Sequence, residues 1–160
     1  MRIYLLRHGI AEDAGGRIPD FKRELTGEGR KKLNAVLRMA RRAGVQPELV
    51  VTSPLVRAVQ TAEMAREVLQ VEAPVQETHV LEPESSPRQV WGELSGLRNL
   101  DSVLLAGHEP LLSSLTAYLL GAPSLQLHMA KAAMVAIEIE SFRGEPHGIL
   151  RWMVTPKLAD

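Results

Sequence analysis

The sequence contains no cysteine among its 160 residues. Disulfide bonds, thiolate nucleophiles and cysteine-ligated zinc or iron–sulfur sites are therefore excluded. The 19 basic and 19 acidic residues give a formal net charge of +0, so the chain lacks the basic excess that general nucleic-acid-binding proteins usually carry. Aromatic residues make up only 4%, which argues against a platform for stacking bases. We expect no nucleic-acid partner.

Long apolar stretches are absent as well. Residues 1–8 do not form the apolar segment of a signal peptide, and no apolar run approaches the roughly 18 residues of a membrane span. We therefore expect a cytoplasmic protein with no membrane partner. The length suits one compact domain and is too short for two of ordinary size, so we expect residues 1–160 to form a single domain.

Apolar runs of strand length alternate with segments of helical periodicity. The pattern predicts strands at 3–6, 48–52, 102–106, 134–139 and 149–154, and helices at 29–43, 54–69, 88–97 and 110–120. Thr26 is a plausible N-cap for the first helix, and Ser53 followed by Pro54 is one for the second. This alternation predicts an α/β fold with a mainly parallel sheet and helices on both faces.

Three polar motifs directly follow predicted strands: Arg7-His8, Ser53-Pro54 and Gly107-His108. In open α/β sheets, ligands bind outside the carboxyl ends of the strands. The shared position of the three motifs therefore indicates a common site more strongly than any one of them.

Each motif also has an ordinary structural explanation. A strand-end Arg-His pair is often solvated surface, although Gly9 permits close approach of the backbone. Arg57, in the first turn of the second helix, is either an exposed side chain covering apolar surface or a phosphate ligand, since helix N-termini and arginine both favour anions. His108 either caps the following helix or joins His8 in a two-histidine site.

A metal site has less support than an anion site. No His-x-x-x-His or cysteine pair supplies a third zinc ligand at a defined spacing, although Glu12 or Glu109 is available. We expect no metal and no cofactor.

Together the motifs resemble the histidine phosphatase superfamily, the Arg-His-Gly-motif phosphatases that include the cofactor-dependent phosphoglycerate mutases. The matching segments are residues 5–9 (LLRHG), 52–58 (TSPLVRA) with 60–62 (QTA), and 106–109 (AGHE), in the family's order and spacing. Within that superfamily, the short length and residues 23–29 (RELTGEG) look like the small bacterial phosphohistidine phosphatases of the SixA type. The resemblance implies a phosphoglycerate mutase-like α/β/α sandwich.

The resemblance also implies a phosphate pocket made by Arg7, His8, Arg57 and His108, with His8 as nucleophile. Elementary chemistry agrees, because a neutral imidazole is nucleophilic and guanidinium forks suit the charged transition state of phosphoryl transfer. We expect a backbone carbonyl near Gly9 to fix the tautomer of His8. Phosphate and vanadate are expected to inhibit.

Other candidate site residues have weaker support. Gly9, Arg23 and Ser53 are candidates for substrate binding, Arg23 because it matches the family's Arg-x-Leu-Thr pattern. The superfamily usually places an acid after the third strand, which makes Glu82 or Glu84 the possible general acid; a solvated acidic loop is the alternative. Lys22 and Lys131 either extend the positive pocket or are solvated surface.

Three functions remain open. The preferred one is hydrolysis of phosphohistidine on a phosphorylated protein, whose imidazole leaving group needs little acid assistance. The second is hydrolysis of a small phosphate ester at the same site. The third is a non-catalytic module that binds phosphate or a phosphoprotein.

Overall fold

A computed structural model, which describes residues 1–159, is built around a six-stranded sheet. Its strands are β1 (Arg2–Arg7), β2 (Leu49–Thr52), β3 (Gln76–Glu77), β4 (Ser102–Gly107), β5 (Met134–Glu138) and β6 (Ile149–Val154). Their order across the sheet is β3-β2-β4-β1-β5-β6. Strands β1 to β4 pair in parallel, whereas β5 pairs antiparallel with β1 and β6 pairs antiparallel with β5. The predicted mainly parallel sheet is confirmed.

Helices cover both faces of the sheet: α1 (Gly27–Arg42), α2 (Val56–Leu69), α3 (Pro87–Gly96), α4 (Leu111–Leu119) and α5 (Pro156–Ala159). Alternation along β1 sends Ile3 and Leu5 into an apolar core shared with α3 and α4, and Tyr4 and Leu6 into one shared with α1 and α2. The short α5 packs beside α1. The result is the predicted three-layer α/β/α sandwich.

The local signals at helix starts were partly right. The Thr26 hydroxyl accepts a hydrogen bond from the Gly29 N–H at 3.0 Å, as expected of an N-cap. The prediction that Ser53 caps α2 is wrong, because that helix begins at Val56 with Leu55 in the N-cap position. The chain uses two further residues to turn from β2 into the helix, which leaves Ser53 at the end of the strand.

Four short elements have no counterpart in the prediction. They are β3, α5 and two 3₁₀ turns, at Asp20–Lys22 and at His79–Leu81. Both residues of β3 are exposed, so this strand carries no apolar pattern that periodicity could detect. Within residues 1–159, no helix is both long and apolar enough to cross a membrane.

Candidate active site

The sheet order brings the three strand-end motifs together, because β1 and β2 both pair with β4. Backbone hydrogen bonds extend this pairing beyond the strands. The His8 N–H donates to the Gly107 carbonyl at 3.0 Å, and the Ser53 N–H donates to the Ala106 carbonyl at 3.1 Å. His8, Ser53 and His108 therefore lie side by side at the carboxyl edge of the sheet, where ligand sites of open α/β sheets are found.

His8 is buried, with 6% of its surface exposed. Its Nδ1 lies 2.7 Å from the Gly9 carbonyl oxygen. Because a carbonyl can only accept, Nδ1 carries the proton of the neutral ring and Nε2 keeps its lone pair. Burial, together with the charges of Arg57 and Arg7, lowers the pKa of His8 to about 4, although the hydrogen bond to Gly9 opposes the change. The imidazole is therefore neutral at pH 7.

The loop after His8 is held by close backbone packing. The Gly9 N–H donates to the Thr61 hydroxyl at 3.2 Å. A Cβ on Gly9 would lie 3.3 Å from the Gly29 carbonyl oxygen, and a Cβ on Gly29 would lie only 2.0 Å from the Ile10 carbonyl oxygen. Small residues at both positions let this loop cross the start of α1, which fixes the carbonyl that orients His8.

Arg7 ends β1 beside His8. Its Nη1 donates to the Met129 carbonyl at 2.7 Å, and its buried Nε has no hydrogen-bond partner. The guanidinium is thus anchored at one nitrogen by the segment before β5.

Arg57, on the first turn of α2, is 4% exposed and bound by Asp20. Its Nη1 donates to the Asp20 carbonyl at 2.8 Å and its Nη2 to Asp20 Oδ2 at 3.2 Å, while its buried Nε has no partner. The other oxygen, Asp20 Oδ1, accepts from Arg23 Nε at 2.9 Å and Nη2 at 2.6 Å. The hydrogen bond from Arg23, followed by the charge of Arg57, lowers the pKa of Asp20. One carboxylate therefore bridges two guanidinium groups.

His108 is 1% exposed, and its ring centroid lies 5.0 Å from that of His8. Its Nε2 lies 2.8 Å from the Ser53 hydroxyl oxygen. That oxygen accepts a hydrogen bond from the Leu55 N–H at 3.3 Å. The Nδ1 of His108 has no hydrogen-bond partner. Burial, together with the neighbouring His8 and Arg57, lowers the pKa of His108 to about 3. Ser53 thus fixes the ring of a neutral histidine.

A single cleft opens onto these residues. Five of the predicted site residues line it: Arg7, His8, Arg23, Arg57 and His108. Ser53 is completely buried behind them, in contact with His108. Lys131 also lines the cleft, whereas Lys22 is exposed, with its Nζ 5.7 Å from the centroid of the Phe21 ring.

The two candidate general acids lie outside the lining of the cleft. Glu82 is bound by His79 Nδ1, Glu84 is exposed, and Pro83 between them lines the cleft instead. The carboxylates in the wall are those of Glu12, Asp13 and Glu109.

The roles of Asp20, Glu12 and Glu109 were not predicted from the sequence. Asp20 lies three residues before Arg23, a spacing at which side chains can meet. Glu12 and Glu109 were weighed as metal ligands and not as parts of an anion site. Glu109 Oε1 accepts from the Ser113 N–H at 3.0 Å, which fixes that carboxylate at the start of α4.

The arrangement suits an anionic group that bears a phosphorus atom. A neutral imidazole with a free ring nitrogen lies among guanidinium groups whose Nε atoms are still unpartnered. Within residues 1–159, no group of three or more histidine and carboxylate side chains is placed to hold a metal ion.

Comparison with known proteins agrees with this geometry. Residues 3–82 match the family model of the histidine phosphatase superfamily (branch 1). The chain therefore belongs to the histidine phosphatase superfamily. An uncharacterized protein of Picosynechococcus sp. (strain ATCC 27264 / PCC 7002 / PR-6) is 30% identical over 150 residues, which cover 92% of this chain and 90% of that protein.

Solved structures narrow the class to the SixA type. The protein histidine phosphatase SixA, complexed with tungstate, matches with a TM-score of 0.85 and 26% identity over 98% of each chain. The alpha-ribazole phosphatase from Shigella flexneri shares the fold, with a TM-score of 0.76 and 19% identity over 98% of this chain and 97% of that one. The SixA-type branch predicted from the sequence is confirmed.

Proposed function

We propose that this protein is a phosphohistidine phosphatase, in which His8 takes a phosphoryl group from a phosphorylated protein and passes it to water. The observation that carries the proposal is the hydrogen bond of 2.7 Å between His8 Nδ1 and the Gly9 carbonyl. It keeps the lone pair of a neutral imidazole on Nε2, next to the guanidinium groups of the cleft. The similarity to SixA, a protein histidine phosphatase, supports the substrate class.

The reaction has two displacement steps at phosphorus. First, His8 Nε2 attacks the phosphorus atom and forms a P–N bond, while the bond to the substrate imidazole breaks. That leaving nitrogen keeps the bonding electron pair and departs as a neutral imidazole, because the substrate ring carries its proton on the other nitrogen. Water then attacks the phosphorus atom, the bond to His8 breaks, and inorganic phosphate is released.

The charge of the transferred group is met by the cations of the cleft. Arg7 and Arg57 offer N–H donors to the phosphoryl oxygens, and their buried unpartnered Nε atoms are free to take part. Arg23 is held next to Arg57 because both guanidinium groups bind Asp20. The His108 ring lies 5.0 Å from the His8 ring, so His108 is placed to contact a phosphoryl group bound to His8 Nε2. We propose that no metal ion is required.

The position of the two predicted general acids favours a substrate with a good leaving group. Neither Glu82 nor Glu84 lines the cleft. An alkoxide leaves poorly without a proton donor, whereas the imidazole of a protonated phosphohistidine leaves without one. The absence of both predicted acids from the lining of the cleft is therefore consistent with phosphohistidine as the substrate.

Trapping the intermediate tests the nucleophile. The protein is incubated with a histidine-phosphorylated protein carrying labelled phosphorus, quenched without acid and digested with trypsin. Cleavage after Arg7 and Arg17 gives the fragment 8–17, in which His8 is the one histidine. We expect the label in that fragment, its loss in His8→Asn, and its retention in the control His147→Asn, because His147 is exposed and does not line the cleft. Full turnover by His8→Ala would refute the role of His8.

Substrate preference tests the second part of the proposal. We expect kcat/KM for a phosphohistidine protein to exceed that for sugar phosphates by more than about tenfold, since discrimination depends on contacts made around the transition state. Activity should survive exhaustive chelation, and vanadate should inhibit. A bound metal whose removal abolishes turnover would contradict the proposed mechanism.

A second candidate, hydrolysis of small phosphate esters, is favoured by one observation. The carboxyl groups of Glu12 and Asp13 lie in the cleft wall, where either one, in its protonated form, can donate a proton to an alkoxide leaving group. If esters are substrates, Glu12→Gln should slow alkyl phosphate hydrolysis more than phosphohistidine hydrolysis, and Glu84→Gln, outside the lining, serves as the matched control. A sugar phosphate or nucleotide turned over faster than phosphohistidine would establish this second function.

A further inference from the structure

A second depression adjoins the active-site cleft and is lined by basic side chains. We call it the basic groove. Its cationic or ionisable residues come from four parts of the fold, namely β1, α1, the segment between α4 and β5, and α5: Arg7, Lys32, His128, Lys131 and Lys157. Arg7 and Lys131 line both the groove and the cleft, so the two are continuous.

The charge of the groove is of one sign. No carboxylate is among the groove-lining residues of the described chain, and the remaining lining comes from small, apolar or hydroxyl side chains: Ile10, Ala130, Thr155 and Pro156. Lys32 also pairs with Glu28 at 2.6 Å, within α1. Because the whole chain has a formal net charge of +0, the groove is a local concentration of positive charge.

The carboxylates near the reaction centre line the cleft and not the groove. Glu12, Asp13 and Glu109 are in the lining of the cleft, and none of them is in the lining of the groove. Lys131, which lines both, is close enough to the reaction centre for its charge to act on His8. A substrate centred on His8 therefore meets carboxylates within the cleft, and only cationic or uncharged side chains in the groove.

We propose that the basic groove binds an acidic segment of the phosphorylated protein, next to the phosphohistidine. This inference rests on the proposed function and specifies its substrate. A phosphohistidine on a protein brings neighbouring residues over the rim of the cleft when its phosphoryl group reaches His8. Carboxylates among those residues are attracted to the cations of the groove and repelled by the carboxylates of the cleft, which favours placing the acidic segment in the groove.

A peptide suits the groove better than a compact anion. The ammonium groups of Lys32 and Lys157 belong to different helices, and apolar surface from Ile10, Ala130 and Pro156 lies in the same lining. An extended chain can place carboxylates on the cations and methylene groups on the apolar surface, whereas a single phosphate would leave most of the groove unused.

Two synthetic phosphohistidine peptides test the proposal. They are identical except that one carries glutamate and the other serine at the positions flanking the phosphohistidine. For the wild-type protein we expect kcat/KM to be about tenfold higher for the glutamate peptide at low salt, with the ratio falling as ionic strength rises.

Charge-reversal variants of the groove lysines test whether these residues cause the preference for the glutamate peptide. Lys157→Glu and Lys32→Glu should each reduce the glutamate-to-serine ratio about threefold, and the double variant should abolish it. Lys31→Glu is the matched control, because Lys31 is the preceding lysine on α1, is exposed and does not line the groove. Lys31→Glu should hydrolyse free phosphohistidine at the wild-type rate, and circular dichroism with thermal unfolding should show that all four variants fold.

Each other outcome has a defined meaning. Equal rates for the two peptides, or an unchanged ratio in the groove variants, would overturn the groove's role while leaving the proposed function standing. No hydrolysis of either peptide or of free phosphohistidine by the wild-type protein would overturn the proposed function and this inference with it. Binding of a single-stranded RNA oligonucleotide more tightly than the glutamate peptide, lost in the same variants, would assign the groove to nucleic acid instead.

Discussion

Asp20 holds Arg57 through two contacts, from its carbonyl at 2.8 Å and from its carboxylate Oδ2 at 3.2 Å. The side chain of Asp20 is 59% exposed, whereas that of Arg57 is 5% exposed. A carboxylate at the surface thus occupies donors of a buried guanidinium in the cleft. Because Asp20 Oδ1 also binds Arg23, a phosphate entering the cleft meets two cations that are already partly neutralised.

Removing the charge of Asp20 should strengthen phosphate binding. In Asp20→Asn the guanidinium groups of Arg57 and Arg23 lose a competing anion, so we expect the dissociation constant of inorganic phosphate to fall about threefold to tenfold, measured by calorimetry. Asp101→Asn, an exposed carboxylate on another loop, is the control for the change in net charge. Weaker phosphate binding in Asp20→Asn would mean that Asp20 orients Arg57 for phosphate and does not compete with it.

Replacing Arg7 or Arg57 in the cleft should greatly reduce the catalytic activity. Arg7→Ala and Arg57→Ala should each lower kcat/KM by more than about 10²-fold, the scale of losing one transition-state donor. Arg57→Lys should restore little, since an ammonium group lacks the planar fork. Arg41→Ala is the control, because Arg41 is an exposed arginine that binds the Val68 carbonyl between α1 and α2. Near-normal kinetics in Arg57→Ala would place the phosphate elsewhere.

Ser53 should act through His108. Ser53→Ala removes the hydroxyl that lies 2.8 Å from His108 Nε2, so the imidazole loses the contact that fixes its ring. We expect kcat to fall about tenfold with a smaller change in KM, and Ser53→Thr, which keeps the hydroxyl, to recover part of the loss. Thr116→Val removes another buried hydroxyl, one bonded to the Leu112 carbonyl inside α4, and should leave kinetics unchanged. A larger effect on KM than on kcat in Ser53→Ala would indicate direct substrate binding.

Stability should fall as the solution is acidified below pH 6.5. Burial holds the pKa of His8 at about 4 in the folded protein, so the unfolded chain binds a proton between pH 6.5 and 4 that the folded protein excludes. This contribution to stability is present above pH 6.5 and is lost progressively as the pH falls. From pH 7 to 4.5 we expect His8 alone to lower the free energy of unfolding by roughly 2–3 kcal/mol. His108 adds a loss of the same sign.

Urea unfolding in phosphate-free buffer at both pH values measures the effect. His8→Asn keeps an N–H near the Gly9 carbonyl and does not titrate, so the difference between the two pH values should shrink by about 2 kcal/mol in this variant. If the free energy of unfolding changes equally between the two pH values in the wild-type protein and in His8→Asn, His8 titrates normally in the folded state.

Much of the fold follows from patterns that are local in the sequence. Apolar runs such as 3–6 and 102–106 correspond to strands because burial on both faces requires continuous apolar residues. The error in the predicted start of α2 has a local cause too. Ser53 and Pro54 carry the composition of a helix start, yet the corner between β2 and α2 takes two more residues than the pattern indicates.

The sequence by itself determined which groups are available for chemistry: imidazoles and guanidiniums at strand ends, no thiol, and the motifs of the histidine phosphatase superfamily. Which of those groups meet was decided by the tertiary structure. Placing β4 between β1 and β2 brings His8, Ser53 and His108 together, and folding the loop before α1 over the cleft puts Asp20 on Arg57. Such contacts join residues 37 or more positions apart, and no periodicity in the chain encodes them, because they depend on how whole elements pack. The same packing leaves Glu82 and Glu84 outside the lining of the cleft and brings Lys32, Lys131 and Lys157 from three separate elements into one groove.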